Sequence, residues 1–371
     1  RKVTRDSVCG VARGLSAYAG GTMRIGTILL VSVLLVQALV AGANREFRAT
    51  WVITWEHISS SLTAEQNMAN VRAILDRHQA ANMNAVLWQC RQSGTAYYNS
   101  SYEPWGYYAG YRYPGYDPLA YAVEEAHKRG MELHAWFNVF QVSSTAPGAP
   151  AVLHPEWICR DRDGNPMISN ICFSPGLEAV RSYTIAVAME IVRNYDIDGL
   201  HLDYVRWNEY SNSKLSQRLA KMAEEQQWLD GMIPVEQLQD LEENAAGRYL
   251  YDIEHPYSAG VPAGFSSWEE WWRWSVTEFV RVLHDSIQAV KPWVRLSPAA
   301  LGKYNWSSWQ GYGTVYQDAA LWFNEGYVDQ LTPMHYHWLT PEGFYSMLVG
   351  PSESWGPWIQ KGIADGRLFT V

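Results

Sequence analysis

The sequence predicts an α/β fold: a (β/α)8 TIM barrel, truncated at its C-terminal end, with a helical insertion after the fourth strand. Three observations lead there. From Phe47 onward, short apolar strands alternate with amphipathic helical stretches, the order that parallel βα units require. The carboxyl ends of these strands carry polar residues, on the face where a βα barrel keeps its reactive groups. No strand leads into GxGxxG or into GxxxxGK followed by Ser or Thr, so the competing open, doubly wound sheet lacks the turn of a nucleotide site.

The elements follow in order. Phe47 to Trp55 (FRATWVITW) reads as the first strand, and Thr63 to Ala81 as a helix whose Met68, Val71, Ile74 and Leu75 share one face. Met83 to Arg91 (MNAVLWQCR) is the second strand, Pro118 to Arg129 the second helix, and Met131 to Gln141 (MELHAWFNVFQ) the third strand. An Asp163-Gly164 turn predicts a hairpin between Glu156 and Phe173. Leu177 to Asn194 is the third helix and Asp198 to Trp207 (DGLHLDYVRW) the fourth strand. The rhythm then breaks over Asn208 to Ser266, a polar, partly helical stretch too long for a plain loop, read either as a lid or subdomain or as a solvated insertion. It resumes with a Trp-rich helix (Ser267 to Val290), a strand (Val294 to Ala300), a helix (Asp318 to Glu325) and a strand (Val328 to His337). Helical sequence follows Trp338, and Leu368 to Val371 opens a further strand. An eight-stranded barrel needs that strand and one more, so the barrel is expected to stay unclosed in this chain.

The N-terminus reads as an address. Met23-Arg24 precedes the apolar run Ile25 to Val40 (IGTILLVSVLLVQALV) and Ala41-Gly42-Ala43, the layout of a signal peptide over 23–43 with an A-x-A cleavage site. The run falls short of the ~20 apolar residues of a membrane span, so no stable span is expected after cleavage. Residues 1–22 form an upstream extension, 44–371 the barrel domain with its insertion at 208–266, and the destination is periplasmic, cell-surface or extracellular. Cleavage after Ala43 removes Cys9, leaving Cys159 and Cys172 as the candidate bridge and Cys90 free. No Cys and His stand at zinc-ligand spacing, and no metal or cofactor is called for.

Composition narrows the partners. Across 371 residues the net charge is -9, with no run of Lys or Arg, which excludes a phosphate backbone as ligand. The 19 Trp and 23 Tyr against 9 Phe favour rings with a polar handle. Such rings either fill a core or stack on the C–H faces of sugars.

Side chains alternate along a strand, so His134, Trp136 and Asn138 share a face, as do His201, Asp203 and Val205. Asp203 sits at the carboxyl end of the fourth strand with Tyr204 and Arg206 beside it, placed either to react or to cap the barrel as an ion pair. The second strand ends in Trp88-Gln89-Cys90-Arg91, and its loop runs through Tyr97, Tyr98, Asn99, Ser100, Tyr102, Glu103, Pro104 and Trp105. Flat rings beside amide and carboxyl groups suit a pyranose. The sixth strand adds Met334, His335, Tyr336 and His337.

Seven ordered blocks, RATWV, QCRQSGTAYYNSSYEPW, HAWFNVF, HPEW with DRDGNP, SPGLEAVR, DGLHLDYVRW and YQDAALWFNEGYVDQLTPMHYHW, together resemble the glycosyl-hydrolase-like family 10 of bacteria, over about Phe47 to Trp338. The resemblance implies a (β/α)8 barrel of exported proteins acting on glycosidic bonds, with cell-wall glycan or another polysaccharide as substrate. It places the characteristic strand-four acid on Asp203. Where members often carry a second Asp, this chain has Tyr204, so any role of that second acid has no bearer there. Gln89, Arg91, Tyr98, Glu103, Trp136, Asn138, His154, His201, Arg206, Gln317, Asp318, Met334 and Tyr336 also match recurrent positions of the resemblance.

Glycoside hydrolysis usually takes two carboxyl groups. Asp203 is the expected nucleophile or base. Glu103 is the first choice for the acid because an aromatic loop desolvates a carboxyl and raises its pKa, with Asp318 and Glu325 behind it. Gln89, Arg91, Tyr98, Trp136, Asn138, His201, Arg206, Asp318, His335 and Tyr336 are the expected substrate-binding residues. The alternatives are a glycan-binding barrel without turnover and a metal-dependent deacetylase, for which no HxxxH or HExxH spacing speaks.

Overall fold

The computed structural model describes residues 46–207, 248–306, 310–336, 338, 340–350 and 355–370. The chain divides into two compact units, residues Arg1–Phe47 and Arg48–Val371, and the description concerns the second. The expected signal peptide, the upstream extension and residues 208–247 of the expected insertion lie outside the described residues.

Strands β1 (Trp51–Val52), β2 (Ala85–Gln92), β3 (Thr95–Ala96), β4 (Glu132–Asn138), β5 (Gly199–Asp203), β6 (Arg295–Leu301), β7 (Gln330–Met334) and β8 (Leu368–Phe369) form one sheet. Its order is β1-β2-β4-β5-β6-β7-β8, every neighbour on that path parallel, with β3 hairpinned onto β2. This is the barrel-type sheet that the alternating pattern predicts. Among the described residues β1 pairs only with β2 and β8 only with β7.

The first strand is shorter than its apolar run. Thr54 turns out of the ladder because its N–H and its hydroxyl both donate to Gln89 Oε1, at 3.2 Å each, and Thr54–His57 coils into a helical turn. The helices that pack the outer layer start where capping chemistry allows. Helix α1 (Ala64–Ala80) opens on a capping box between Thr63 and Gln66, and α2 (Pro118–Lys128) on Asp117 with Pro in the first turn. Helix α3 (Glu178–Asn194) follows β4, and α4 (Trp268–Val290), capped by Ser267, follows β5. Helix α5 (Ala319–Glu325) is capped by Asp318 and ends on Gly326 in the left-handed conformation.

Alternation sorts the strand residues into two faces. Val86 and Trp88, Leu133, Ala135 and Phe137, and Leu200 and Leu202 pair in register and pack under the helices, in the main core. The opposite face carries Leu87 and Gln89, His134, Trp136 and Asn138, His201 and Asp203, and Ser297. The sheet curls enough for Trp51 on β1 to donate from Nε1 to His201 Nε2 on β5, 3.0 Å away, across that inner face. The Trp-rich helix packs rings into the core: Trp207 lies 5.5 Å from Trp271 and donates to the carbonyl of Trp272.

The turn at Asp163 and Gly164 exists, with Gly164 at φ 84 and the Asp161 carboxylate accepting from Asp163 and Asn165 N–H groups. Around it Ile158 pairs antiparallel with Phe173, and Cys159 N–H donates to Cys172 O at 3.0 Å. Cys90 and Cys159 are buried free thiols, so the expected bridge between Cys159 and Cys172 is not formed: the two segments meet through backbone hydrogen bonds instead. No helix of the described residues is long and apolar enough to cross a membrane.

Candidate functional site

The inner face ends in a row of polar side chains at the carboxyl ends of β2, β4 and β5. Gln89 Nε2 donates to Asn138 Oδ1 at 3.3 Å, and Asn138 Nδ2 to Gln141 Oε1 at 3.4 Å. Trp136 Nε1 donates to Asp203 Oδ2 at 3.2 Å, and the Tyr204 N–H to Asp203 Oδ1 at 2.7 Å. Asp203 is only 8% exposed. Burial pushes its carboxyl up from the ordinary aspartate value, against the Arg206 charge and the two N–H donors, which favour the ionised form. Among the described residues, the groups that bear on the Asp203 carboxyl are Arg206, the Tyr204 N–H and the Trp136 N–H, with no second carboxylate beside them.

Tyr204 holds its position at a cost. Its φ of 52 is left-handed, a region that costs a residue with a Cβ about 1–2 kcal/mol. The Arg206 guanidinium lies over its ring at 4.8 Å. Tyr336, 64% exposed, stands at the mouth: burial and the Asp203 charge push its hydroxyl up while Arg206 opposes them. The structure thus brings together Gln89, Trp136, Asn138, Asp203, Arg206 and Tyr336.

It takes the other expected site residues elsewhere, each for a physical reason. A register shift between Gln89 and Arg91 pairs Arg91 with Phe137, and so turns it from the inner to the outer face. There its guanidinium stacks on Phe137 at 4.6 Å and grips Glu103 through Nε–Oε2 at 2.8 Å and Nη2–Oε1 at 2.5 Å. Tyr183 of α3 also donates to Glu103 Oε1, and the carbonyls of Asn138 and Val139 accept from Arg91 Nη1. Both charged side chains are wholly buried. With both oxygens held by the Arg91 guanidinium and one also by the Tyr183 hydroxyl, Glu103 braces the β2 loop on the outer face, away from the polar row.

Tyr98 is fully buried, edge-on to Tyr195 at 5.8 Å, and offers no open ring to a sugar. His201 lies one layer beneath Asp203. An indole nitrogen only donates, so His201 Nε2 is the acceptor for Trp51, and the neutral ring carries its proton on Nδ1, donating to Ser297 Oγ at 2.9 Å. Burial pulls its pKa down to about 3, helped by His134. It is an interior prop.

Asp318 spends Oδ1 on the first turn of α5, through Leu321 N–H, and on the Tyr304 hydroxyl at 2.7 Å. Burial pushes its pKa up against those donors. Glu325 ends the same helix, which puts it at the far end of the barrel, beside Lys361. His335 points outward between Phe344, at 5.4 Å, and Phe369, and burial lowers its pKa to about 4. His154 stacks on Trp157 at 3.7 Å. Gln317 ties β6 to the segment after β5, accepting from Leu301 N–H and donating to Val205 O.

Thr54, Ser297 and Gln141 complete the polar row and the layer below it, and sequence reading passed over them. Ser297 had a signal: it is a polar residue inside an apolar strand, directly opposite His201 in register. Among the described residues no three His, Cys, Asp or Glu side chains converge as for a metal ion.

Comparison with known proteins agrees with this architecture. The family model described as Glycosyl hydrolase-like 10 matches residues 46–344. The glycosyl hydrolase YngK of Bacillus subtilis is 29% identical over 322 residues, covering 80% of this chain and 55% of its own length. The glycosyl hydrolase DigH of Escherichia coli is 26% identical over 333 residues, 79% of this chain and 66% of its own. The chain therefore spans between half and two thirds of these relatives. The glycoside hydrolase domain of PgaB (BpsB) from Bordetella bronchiseptica superposes with a TM-score of 0.51 at 13% identity, over 87% of this chain and 83% of that one, a likeness of fold.

Proposed function

The chain belongs to the glycosyl hydrolase-like 10 family, and from that membership we propose that it cleaves O-glycosidic bonds in a polysaccharide, with bacterial cell-wall glycan as the first substrate class. The observation that carries the proposal is Asp203, a buried carboxyl at the end of β5, held by Trp136 and the Tyr204 N–H, whose pKa burial pushes up. In this reading Asp203 is the general acid. It gives its proton to the glycosidic oxygen as the bond from the anomeric carbon to that oxygen breaks and the alcohol leaves; water supplies the hydroxyl that replaces it, and the proton that water loses returns by way of solvent to the Asp203 carboxylate. Trp136 and the Tyr204 N–H aim the carboxyl and receive the charge left on it. Gln89 and Asn138 supply amide groups for sugar hydroxyls, and Tyr336 a ring at the mouth. The role differs from the nucleophile or base expected from sequence because burial, which favours the protonated form, dominates at this position.

A second reading, a glycan-binding barrel without turnover, is favoured by one observation: among the described residues, Arg206, the Tyr204 N–H and the Trp136 N–H bear on the Asp203 carboxyl and no second carboxylate joins them. Export belongs to the proposal on the strength of the run Ile25 to Val40 and the A-x-A site after it. So does the division into a signal over 23–43 and a barrel domain over 44–371.

The test is release of reducing ends from a panel of cell-wall and plant polysaccharides by the wild type and by Asp203→Asn. Hydrolysis by the wild type that the variant loses supports the enzyme. Binding without hydrolysis by either protein supports the second reading.

A further inference from the structure

Beside the polar row lies a second surface that no comparison assigns. Trp55 follows Thr54 directly and is 52% exposed, and Tyr107 and Tyr111 of the β2 loop are 66% and 52% exposed. The half-buried Tyr108 underlies them, 5.9 Å from Trp55 and 5.2 Å from Tyr107, while Tyr107 and Tyr111 stand 6.0 Å apart. Three large rings left in water together are unfavourable for folding, since each buries 150–250 Å² when packed.

The loop is nevertheless built to hold them there. Ile58, Tyr97 and Ala109 form a separate small core beneath it, with Trp105 and Tyr108 packed on it. Gly106 passes so close to Tyr97 that a Cβ would sit 2.4 Å from its ring. Gly110 and Tyr111 are both left-handed, at φ 70 and φ 57, tied back by Gly110 N–H to Tyr107 O and Tyr111 N–H to Gly106 O. A tyrosine kept in that conformation at the surface is a strained residue retained by its surroundings.

We infer that Trp55, Tyr107 and Tyr111 form a stacking platform for a pyranose ring of the polymer, several sugar units from the ring that meets Asp203. The inference rests on the glycan reading of the site. Ring chemistry and position favour a sugar over a protein. The rings are those that pair an apolar face with a hydroxyl or indole N–H, matching the C–H face and hydroxyl rim of a pyranose. The platform is also continuous with the site: Thr54, next to Trp55, bonds Gln89, which bonds Asn138. Both surfaces lie at the carboxyl ends of the strands, and along the curl of the sheet β1 is three strand spacings from β5, a path of roughly 14 Å at ~4.8 Å each. A glycan chain running along the strand ends reaches from one to the other.

The test uses the full chain carrying Asp203→Asn, so that substrate persists, with and without Trp55→Ala or Tyr107→Ala. Affinity is measured for soluble cell-wall and plant polysaccharide fragments of graded length. With the platform intact, affinity rises with length past the span between the two surfaces. Each alanine variant is expected to lose that rise, with roughly three- to tenfold weaker binding of long fragments per ring. Trp55→Phe is expected to restore most of it, which separates loss of stacking from misfolding. Unchanged affinity at every length in both alanine variants overturns the platform while leaving the hydrolase reading to the wild-type assay. Platform-dependent binding by a wild type that hydrolyses nothing overturns the hydrolase and keeps the platform. Binding of no fragment overturns both.

Discussion

Asp203 and Glu103 are two buried carboxyls of one chain with different partners. Asp203 has two N–H donors and a guanidinium that stacks on a neighbouring ring, too little to offset burial, so its pKa rises. Removing either helper raises it further. Arg206→Gln and Trp136→Phe each leave the carboxyl protonated to higher pH, so the alkaline limb of the pH–rate profile moves up in both variants, whatever happens to the maximum rate. Movement of the acidic limb instead assigns Asp203 the role of base. Glu103 has a full counter-charge in the bidentate grip of Arg91. Glu103→Gln strands a buried guanidinium and is expected to cost about 3–5 kcal/mol in chemical denaturation, while Arg91→Met with Glu103→Met together costs far less. A Glu103→Gln variant of full stability with no hydrolysis returns Glu103 to the acid's role.

At the scale of elements, what was legible in the sequence and what was not divide along one strand. Gln89, Trp136, Asn138 and Asp203 could be placed at one end of the sheet because period-two alternation and strand ends are written in the residue order. Arg91 was misplaced because one shifted register at the end of β2 moves a side chain to the opposite face, and nothing in WQCRQ announces it. Asp318 read as a site acid because a helix cap and a catalytic carboxylate look alike in sequence, and only the hydrogen bond to Leu321 tells them apart. His201 was put on the correct face but one layer too high. The packing below the site has its own check at Gly199, which opens β5 opposite His134: a Cβ there would meet the His134 ring at 2.2 Å. Gly199→Ala is expected to lower stability by about 1–3 kcal/mol through overpacking. A neutral result in a thermal melt would mean that His134 moves freely.

Across the whole molecule, a parallel sheet with its polar row at one end gives a single face on which a polymer can lie, from the ring at Tyr336 to the rings at Trp55 and Tyr107. The surplus of Trp and Tyr divides accordingly. Trp207, Trp271 and Trp322 are core, whereas Trp55 and Tyr107 are kept in water at the strand ends. That division leaves proton donation by Asp203 as the step on which the account turns. The most direct measurement compares Asp203→Asn on two substrates with the same sugar: the natural polysaccharide, whose leaving alcohol needs a proton, and a dinitrophenyl glycoside, whose leaving group does not. The account predicts that the variant loses about 10²–10⁴-fold on the polysaccharide and little on the activated glycoside. Equal loss on both substrates, or full activity on the polysaccharide, contradicts it.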